Sequence, residues 1–331
     1  MKALVTGASG FTGSYMVTNL LEHGVDVRAM VRKNSNLDLL PSLPIDLVFG
    51  SLEDKDTLNS AVQGVDIVYH IAALFRAANV PDSEYWNVNV TGTENLLQAS
   101  RAAGVKRFVH CSTCGVHGQI KNPPADENAP IDPEDIYQET KWEGEKLALR
   151  FGKENGLPVT VVRPVGIYGP GDTRMLRMYK SVQNGKFIMF GGGNVLYHLS
   201  YVTDIVEGFR LAGESEKAIG ETYIIAGESH TTLMQFARDI AEDLGVKPPR
   251  WKPPVWPLNI AAHICEKICV PLRIQPPIFP RRVHIFTHDR SFDISKAKRD
   301  LGFAPKVDTK QGIHSTAEWY VEKGLLSERR H

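Results

Sequence analysis

The sequence predicts an α/β fold: a doubly wound, parallel sheet with a smaller lobe interleaved into it toward the C-terminus. Three observations lead there. Short β-branched runs alternate with helical patterns through the first half, as parallel βαβ units require. A glycine-rich turn, Gly7-Ala8-Ser9-Gly10-Phe11-Thr12-Gly13, directly follows the first of these runs. After Arg163 the alternation degrades: Gly169-Pro170-Gly171 and Gly191-Gly192-Gly193 break the chain, and proline- and aromatic-rich stretches appear around 248–257 and 271–280.

Taken in order, strands are expected at 2–6, 26–31, 46–49, 66–71, 107–112 and 159–163, with helices at 11–23, 55–62, 84–103 and 134–154. Right-handed crossovers then place the helices on both faces of one open sheet. A strand at 221–226 and a helix at 231–244 are expected to return to that sheet. Residues 1–170, with returning segments near 200–226, therefore read as the sheet domain, and 171–331 as most of a smaller lobe.

The 331 residues carry 38 Lys+Arg against 38 Asp+Glu, so no overall field gathers nucleic acid or an anionic membrane surface. A small-molecule partner is expected. The N-terminal apolar run is too short for a secretory signal, which points to a soluble, cytoplasmic protein. The apolar stretch 254–279 is interrupted by His263, Glu266, Lys267, Arg273 and several prolines, so it forms no integral membrane segment. Its helical part carries a polar stripe of Asn259, His263, Glu266 and Lys267 beside Ile260, Ile264, Ile268 and the cysteines. Three readings fit: an ordinary helix packed on its own core, a roof over an apolar substrate, or contact with a membrane surface. Cys111, Cys114, Cys265 and Cys269 read as reduced structural thiols, with no metal site expected.

The placement of the Gly7–Gly13 turn between a strand and a helix gives it chemical meaning. Gly7, Gly10 and Gly13 let the backbone approach a pyrophosphate, which the N-terminal amides of the helix, from Ser9 through Phe11 and Thr12, then hold. At the tip of the second strand, where an acidic residue would accept the ribose 2′-hydroxyl of NAD, the chain has Arg32-Lys33. Two cations suit a 2′-phosphate, so NADP(H) is favoured, with NAD(H) as the alternative. Tyr137 and Lys141 stand four residues apart at the start of a helix and share a face. The ammonium favours the tyrosinate, and a phenol so tuned can exchange a proton with a reacting alcohol or carbonyl. Cys111-Ser112-Thr113 ends the preceding strand on the ligand-binding side of the sheet.

Together with His70-Ile71-Ala72-Ala73, Asn89-Val90-Thr91-Gly92-Thr93, Arg107 through Thr113, and Arg163-Pro164-Val165-Gly166-Ile167-Tyr168-Gly169-Pro170-Gly171-Asp172, these motifs resemble the extended short-chain dehydrogenase/reductase family over nearly the whole chain. The resemblance implies a Rossmann dinucleotide domain and an enzyme. It implies Thr113 as the hydroxyl that bonds the substrate oxygen, Tyr137 as acid/base, and Lys141 as the group holding the nicotinamide ribose. Leu52, Ala72, Ala73 and Val165 match positions that wall the cofactor. Two departures stand out: Gly50-Ser51-Leu52 where the family often has Gly-Asp-Leu, and Tyr197-His198-Leu199 where nucleotide-sugar members often carry an arginine. The C-terminal stretch, through Arg282-Val283 and Ser291-Phe292-Asp293-Ile294-Ser295-Lys296-Ala297, resembles the 3β-hydroxysteroid dehydrogenase-like and dihydroflavonol-reductase-like branches. The expected function is an oxidoreductase interconverting a secondary alcohol and a ketone. A nucleotide-sugar epimerase is the alternative, a non-catalytic NADP(H) sensor ranks below it, and dehydration ranks last of the reactions. The family's usual pairing implies a homodimer through the 84–103 and 134–154 helices.

Overall fold

A computed structural model of the chain describes residues 1–75, 80–269, 278 and 283–328. Its first half alternates β1 (Lys2–Thr6), α1 (Phe11–Glu22), β2 (Asp26–Val31), β3 (Asp46–Phe49), α2 (Lys55–Ala61), β4 (Ile67–His70), α3 (Asp82–Trp86), α4 (Gly92–Ala102), β5 (Arg107–Cys111), α5 (Ile136–Asn155) and β6 (Val159–Pro164). There follow β7 (Gly166–Tyr168), α6 (Leu176–Gln183), β8 (Leu196–Tyr197), β9 (Leu199–Tyr201), α7 (Val202–Glu214), β10 (Thr222–Ile225), β11 (Thr231–Thr232), α8 (Leu233–Asp243) and α9 (Trp256–Cys269). Two further helices span Ser295–Leu301 and Thr309–Glu322.

Seven strands form one parallel sheet in the order β10-β6-β5-β4-β1-β2-β3. The central strands are buried on both faces, β4 and β6 without an exposed residue, which is why they read as continuous apolar runs. One face is packed by Met16, Val17 and Leu20 of α1 with Ile205, Val206 and Phe209 of α7. The other is packed by Leu58 of α2, Leu96 and Leu97 of α4 and Ala148 of α5. Helix starts follow local capping chemistry: Asp54 accepts from the Thr57 amide ahead of α2, Asp135 from Gln138 ahead of α5, and Thr232 from Gln235 ahead of α8.

β10 returns to the sheet edge beside β6, as expected for 221–226. The helix expected at 84–103 is instead α3 and α4 joined by one π-helical turn over Asn87–Thr91. The cause is local: α5 passes so close that a Cβ on Gly144 would lie 2.7 Å from the Asn89 carbonyl oxygen, and the Asn89 side chain is engaged elsewhere. The helix expected to begin at Thr231 and return to the main sheet starts at Leu233, because Thr231 and Thr232 pair with β8 as β11, and it packs instead in the smaller lobe, against α6 and the Thr309–Glu322 helix. Apart from 278, the 271–280 stretch lies outside the described residues, as does Arg282.

Candidate active site

Strand order reverses between β1 and β4, so the chain leaves these neighbours in opposite directions and opens a crevice at their C-terminal ends. The turns leaving the two strands touch there. Gly7 has φ +70°, and a Cβ on it would sit 2.8 Å from Ala72 Cα. A Cβ on Gly13 would lie 2.1 Å from the Gly7 carbonyl oxygen, so no side chain fits without moving backbone. Gly10 caps α1 with no side-chain hydrogen bond, and no acid occupies the first turn. The helix therefore offers bare N–H groups and its positive end to an anion, which fits a pyrophosphate.

A cleft of about 1110 Å³ runs from this turn past the ends of β4, β5 and β6 to β8. Gly7, Ser9, Gly10, Phe11, Thr12, Gly13, Arg32, Leu52, Ala72, Ala73, Thr113, Tyr137, Lys141 and Val165 all line it. Lys33 is the exception among the sequence-selected residues. It is exposed and lies off the cleft wall, where its charge helps the Thr57 hydrogen bonds hold the Asp54 carboxyl below its ordinary range.

Thr113 follows β5 in extended backbone, and its Oγ1 accepts from the Gly115 amide at 3.0 Å. That leaves the hydroxyl proton free to be donated to a ligand oxygen. Tyr137 lies in the first turn of α5, edge-on to Phe75 with ring centroids 4.9 Å apart. Lys141, one turn on, is 1% exposed. Burial pushes its ammonium down from the ordinary lysine range, while the Cys111 and Glu145 side chains pull it back up. Cys111 and Cys114 are free thiols raised by burial, which suits inert structural residues.

Two buried networks behind these groups were not singled out from the sequence. Glu145 lies four residues beyond Lys141, on the same face of α5. It accepts from Ser112 Oγ at 2.6 Å and pairs with Arg163 at 2.6 Å. Arg163 Nη1 also donates to His117 Nε2, so the His117 proton sits on Nδ1, facing the Pro130 carbonyl. This knot ties the end of β5, and so Thr113, to the helix bearing Tyr137. The second network begins at the Ala72 amide, which donates to Thr6 Oγ1; that hydroxyl donates to His70 Nδ1. His70 Nε2 donates in turn to Thr93 Oγ1, which donates to the Asn89 carbonyl. Asn89 also holds both backbone groups of Leu74 and the Thr140 hydroxyl. The only sequence signal for either network was that His70, Asn89, Thr93 and Arg163 fell inside the motifs quoted above.

Two guanidiniums join the cleft wall. Arg174 is held by Asp172 at 2.7 Å and lies over both Phe11 and Phe75, 5.6 and 5.7 Å from their ring centres. Arg290 bridges backbone to backbone with Tyr197. Arg290 thus joins the wall beside Tyr197 from 93 residues away in sequence, beyond the reach of local reading, although Tyr197-His198-Leu199 itself carries no arginine. His198 is buried, accepting from Phe292 N–H and facing the Gly227 carbonyl. Near the start of α5, Glu134 meets His284 at 3.2 Å and His288 at 2.9 Å, with the two imidazoles stacked. Their ligand atoms lie within 4.8 Å of one another.

Residues 3–226 match the model of the NAD dependent epimerase/dehydratase family. The chain is 34% identical to a 3 beta-hydroxysteroid dehydrogenase/Delta 5→4-isomerase of Mycobacterium tuberculosis, covering 97% of this chain and 90% of that protein. It is 31% identical to a 4-hydroxy-2-methyl-3-oxo-4-farnesyl-3,4-dihydroquinoline-1-oxide ketoreductase of Stigmatella aurantiaca, over 95% of each. Among solved structures, a dTDP-glucose 4,6-dehydratase from Streptomyces venezuelae with NAD and TYD bound superposes with a TM-score of 0.79. It shares 26% identity over 99% of both chains.

Proposed function

Because the chain belongs to the NAD-dependent epimerase/dehydratase family, within the extended short-chain dehydrogenases/reductases, we propose that it is an oxidoreductase interconverting a secondary alcohol and a ketone on a nicotinamide dinucleotide. The observation that carries this reading is a single cleft with an anion cradle at Gly7–Gly13 at one end and Thr113, Tyr137 and Lys141 on its wall. The dinucleotide, when bound, supplies or accepts the hydride. The remaining work belongs to the chain. Thr113 donates its hydroxyl proton to the substrate oxygen and orients it. Tyr137 gives that oxygen a proton in reduction and takes it in oxidation. Lys141, whose ammonium burial pushes down while Cys111 and Glu145 oppose that push, favours the phenolate and holds the nicotinamide ribose.

Arg32 at the tip of β2 supports NADP(H) over NAD(H), with Lys33 adding charge from farther off. Residues 1–170 with the returning segments near 200–226 serve the cofactor, and most of 171–331 serves the substrate. The apolar wall offered by Phe75, Val80, Ile167 and Phe292 suits an apolar or mixed substrate, in keeping with the names of the sterol- and quinoline-acting relatives. No described helix is long and apolar enough to cross a membrane. We propose a cytoplasmic location. We further propose a homodimer through α4 and α5, the commonest symmetry for such an interface, which light scattering at micromolar concentration checks.

Arg290 beside Tyr197 favours one second reading, a nucleotide-sugar epimerase, because it brings a guanidinium to the substrate end of the cleft. One experiment separates the two. Protein loaded with NADPH is mixed with steroid and flavonoid-like ketones, protein loaded with the oxidised dinucleotide is mixed with nucleotide sugars, and nicotinamide absorbance is followed beside product analysis. Net oxidation matched to alcohol formed supports the oxidoreductase. An inverted sugar with no net change in absorbance defeats it in favour of the epimerase.

A further inference from the structure

α9 leaves exposed an apolar stripe that a helix packed on its own protein would bury. Trp256, Ile260, Ile264 and Ile268 recur every fourth residue, which keeps them on one face, and they are 65%, 52%, 53% and 56% exposed. Trp251, just ahead of the helix, is 76% exposed. On the opposite side Asn259 and Glu266 are half-buried, and Ala262 is the helix's one buried residue. A helix folded only to cover its own core would turn the isoleucines inward and the carboxylate outward. Here the apolar stripe faces out, so it is complementary to something apolar.

Charge and shape narrow the occupant. The chain as a whole is neutral, yet 247–268 carries Lys247, Arg250, Lys252 and Lys267, all exposed, against the single acid Glu266. Two tryptophans, an isoleucine stripe and flanking cations are the composition of a helix lying in a lipid–water interface, with rings at headgroup level and cations on anionic headgroups. With 14 residues at ~1.5 Å each, α9 is too short to span a bilayer and suited to lie along one. A single convex helix also offers far less area than a stable protein–protein interface buries on each side.

We propose that α9 docks this protein on a bilayer surface bearing anionic lipids, with Trp256, Ile260, Ile264 and Ile268 in the acyl boundary and Lys252 and Lys267 at the headgroups. The attachment to the body favours a link to the cleft. Met189 and Gly191 donate to the Trp251 and Pro253 carbonyls, and Phe190 packs on Phe286, whose segment runs on to Arg290 and Phe292 of the cleft wall. The docked helix thus lies close to the end of the cleft that takes substrate.

The test is flotation of the full chain with phosphatidylcholine vesicles and with vesicles containing phosphatidylglycerol. Binding is expected to the anionic vesicles, weakening as salt rises. Ile260→Glu/Ile264→Glu should weaken it by about ten-fold or more, and Lys252→Glu/Lys267→Glu should remove its salt dependence. Both variants should keep the wild-type melting temperature and dinucleotide titration, since the altered side chains are exposed. No flotation, or flotation equal in the Ile260→Glu/Ile264→Glu variant, overturns the proposal. So does a wild-type dimer in light scattering that this variant abolishes without any vesicle binding, which would make a second copy the occupant.

Discussion

At the scale of single residues, the chemistry rests on hydroxyls and charges whose partners are already fixed. On the roles proposed above, Tyr137→Phe removes the proton path but not the cradle. Turnover should fall by roughly 10²–10⁴-fold, the range for a positioned acid/base, while dinucleotide affinity is retained. Lys141→Met should damage both. In Thr113→Val the lost oxyanion bond, about 3–4 kcal/mol in comparable sites, should appear in turnover, with Thr113→Ser mild. Single-turnover absorbance beside a cofactor titration reads all four, and retained hydride transfer in Tyr137→Phe would mean the proton travels elsewhere. Arg32→Asp tests the other end of the cleft. Exchanging a charge-assisted bond of about 1.5–3 kcal/mol for an acceptor should invert the NADPH-over-NADH preference. Equal affinities in the unaltered protein would remove the basis for that assignment.

At the scale of elements, the site depends on bonds between neighbouring strands and helices. Thr6 and His70 are register partners on β1 and β4, so their side chains meet as a consequence of strand pairing. Asn89 locks the segment after β4 to α5. Asn89→Ala would strand the Leu74 amide and carbonyl at about 1–3 kcal/mol. It should lower the melting temperature by a few degrees and weaken dinucleotide binding more than Tyr137→Phe does, as scanning calorimetry with and without cofactor would reveal; unchanged binding would mean that Asn89 does not shape the wall. These bonds were illegible in the sequence because they join residues 15 to 66 apart through sheet register and a π turn. What could be read was local: the turn at Gly7–Gly13, the four-residue spacing of Tyr137 and Lys141, and the alternation that gave the first six strands to within two residues at either end. In the second half β7, β8, β9 and β11 have two or three residues each, too few for a period to register, and α7 was not anticipated.

At the scale of the whole molecule, acid should be its weakness. Burial holds His70 down at about 3 and His110 well below its ordinary value, and lowers His117 and His198 as well. The unfolded chain binds these protons near 6.5 and the folded chain does not. The stability they preserve is therefore complete above that pH and drains as pH falls toward the folded values, about 1.4 kcal/mol per unit for each fully shifted histidine. Melts should be flat above pH 7 and drop steeply below pH 6, ahead of the carboxylate range; equal midpoints at pH 7.5 and 5.5 would defeat this. The return of β10 to the outer edge of β6 has a consequence of another kind, in vectorial synthesis. β6 is wholly buried in the finished fold, yet the strand that covers its free edge lies some 60 residues downstream. At ~5–20 residues per second on the ribosome, an apolar, unpaired edge waits several seconds for its partner. Nascent chains stalled before residue 222 should consequently be the species that chaperones hold and that aggregates collect.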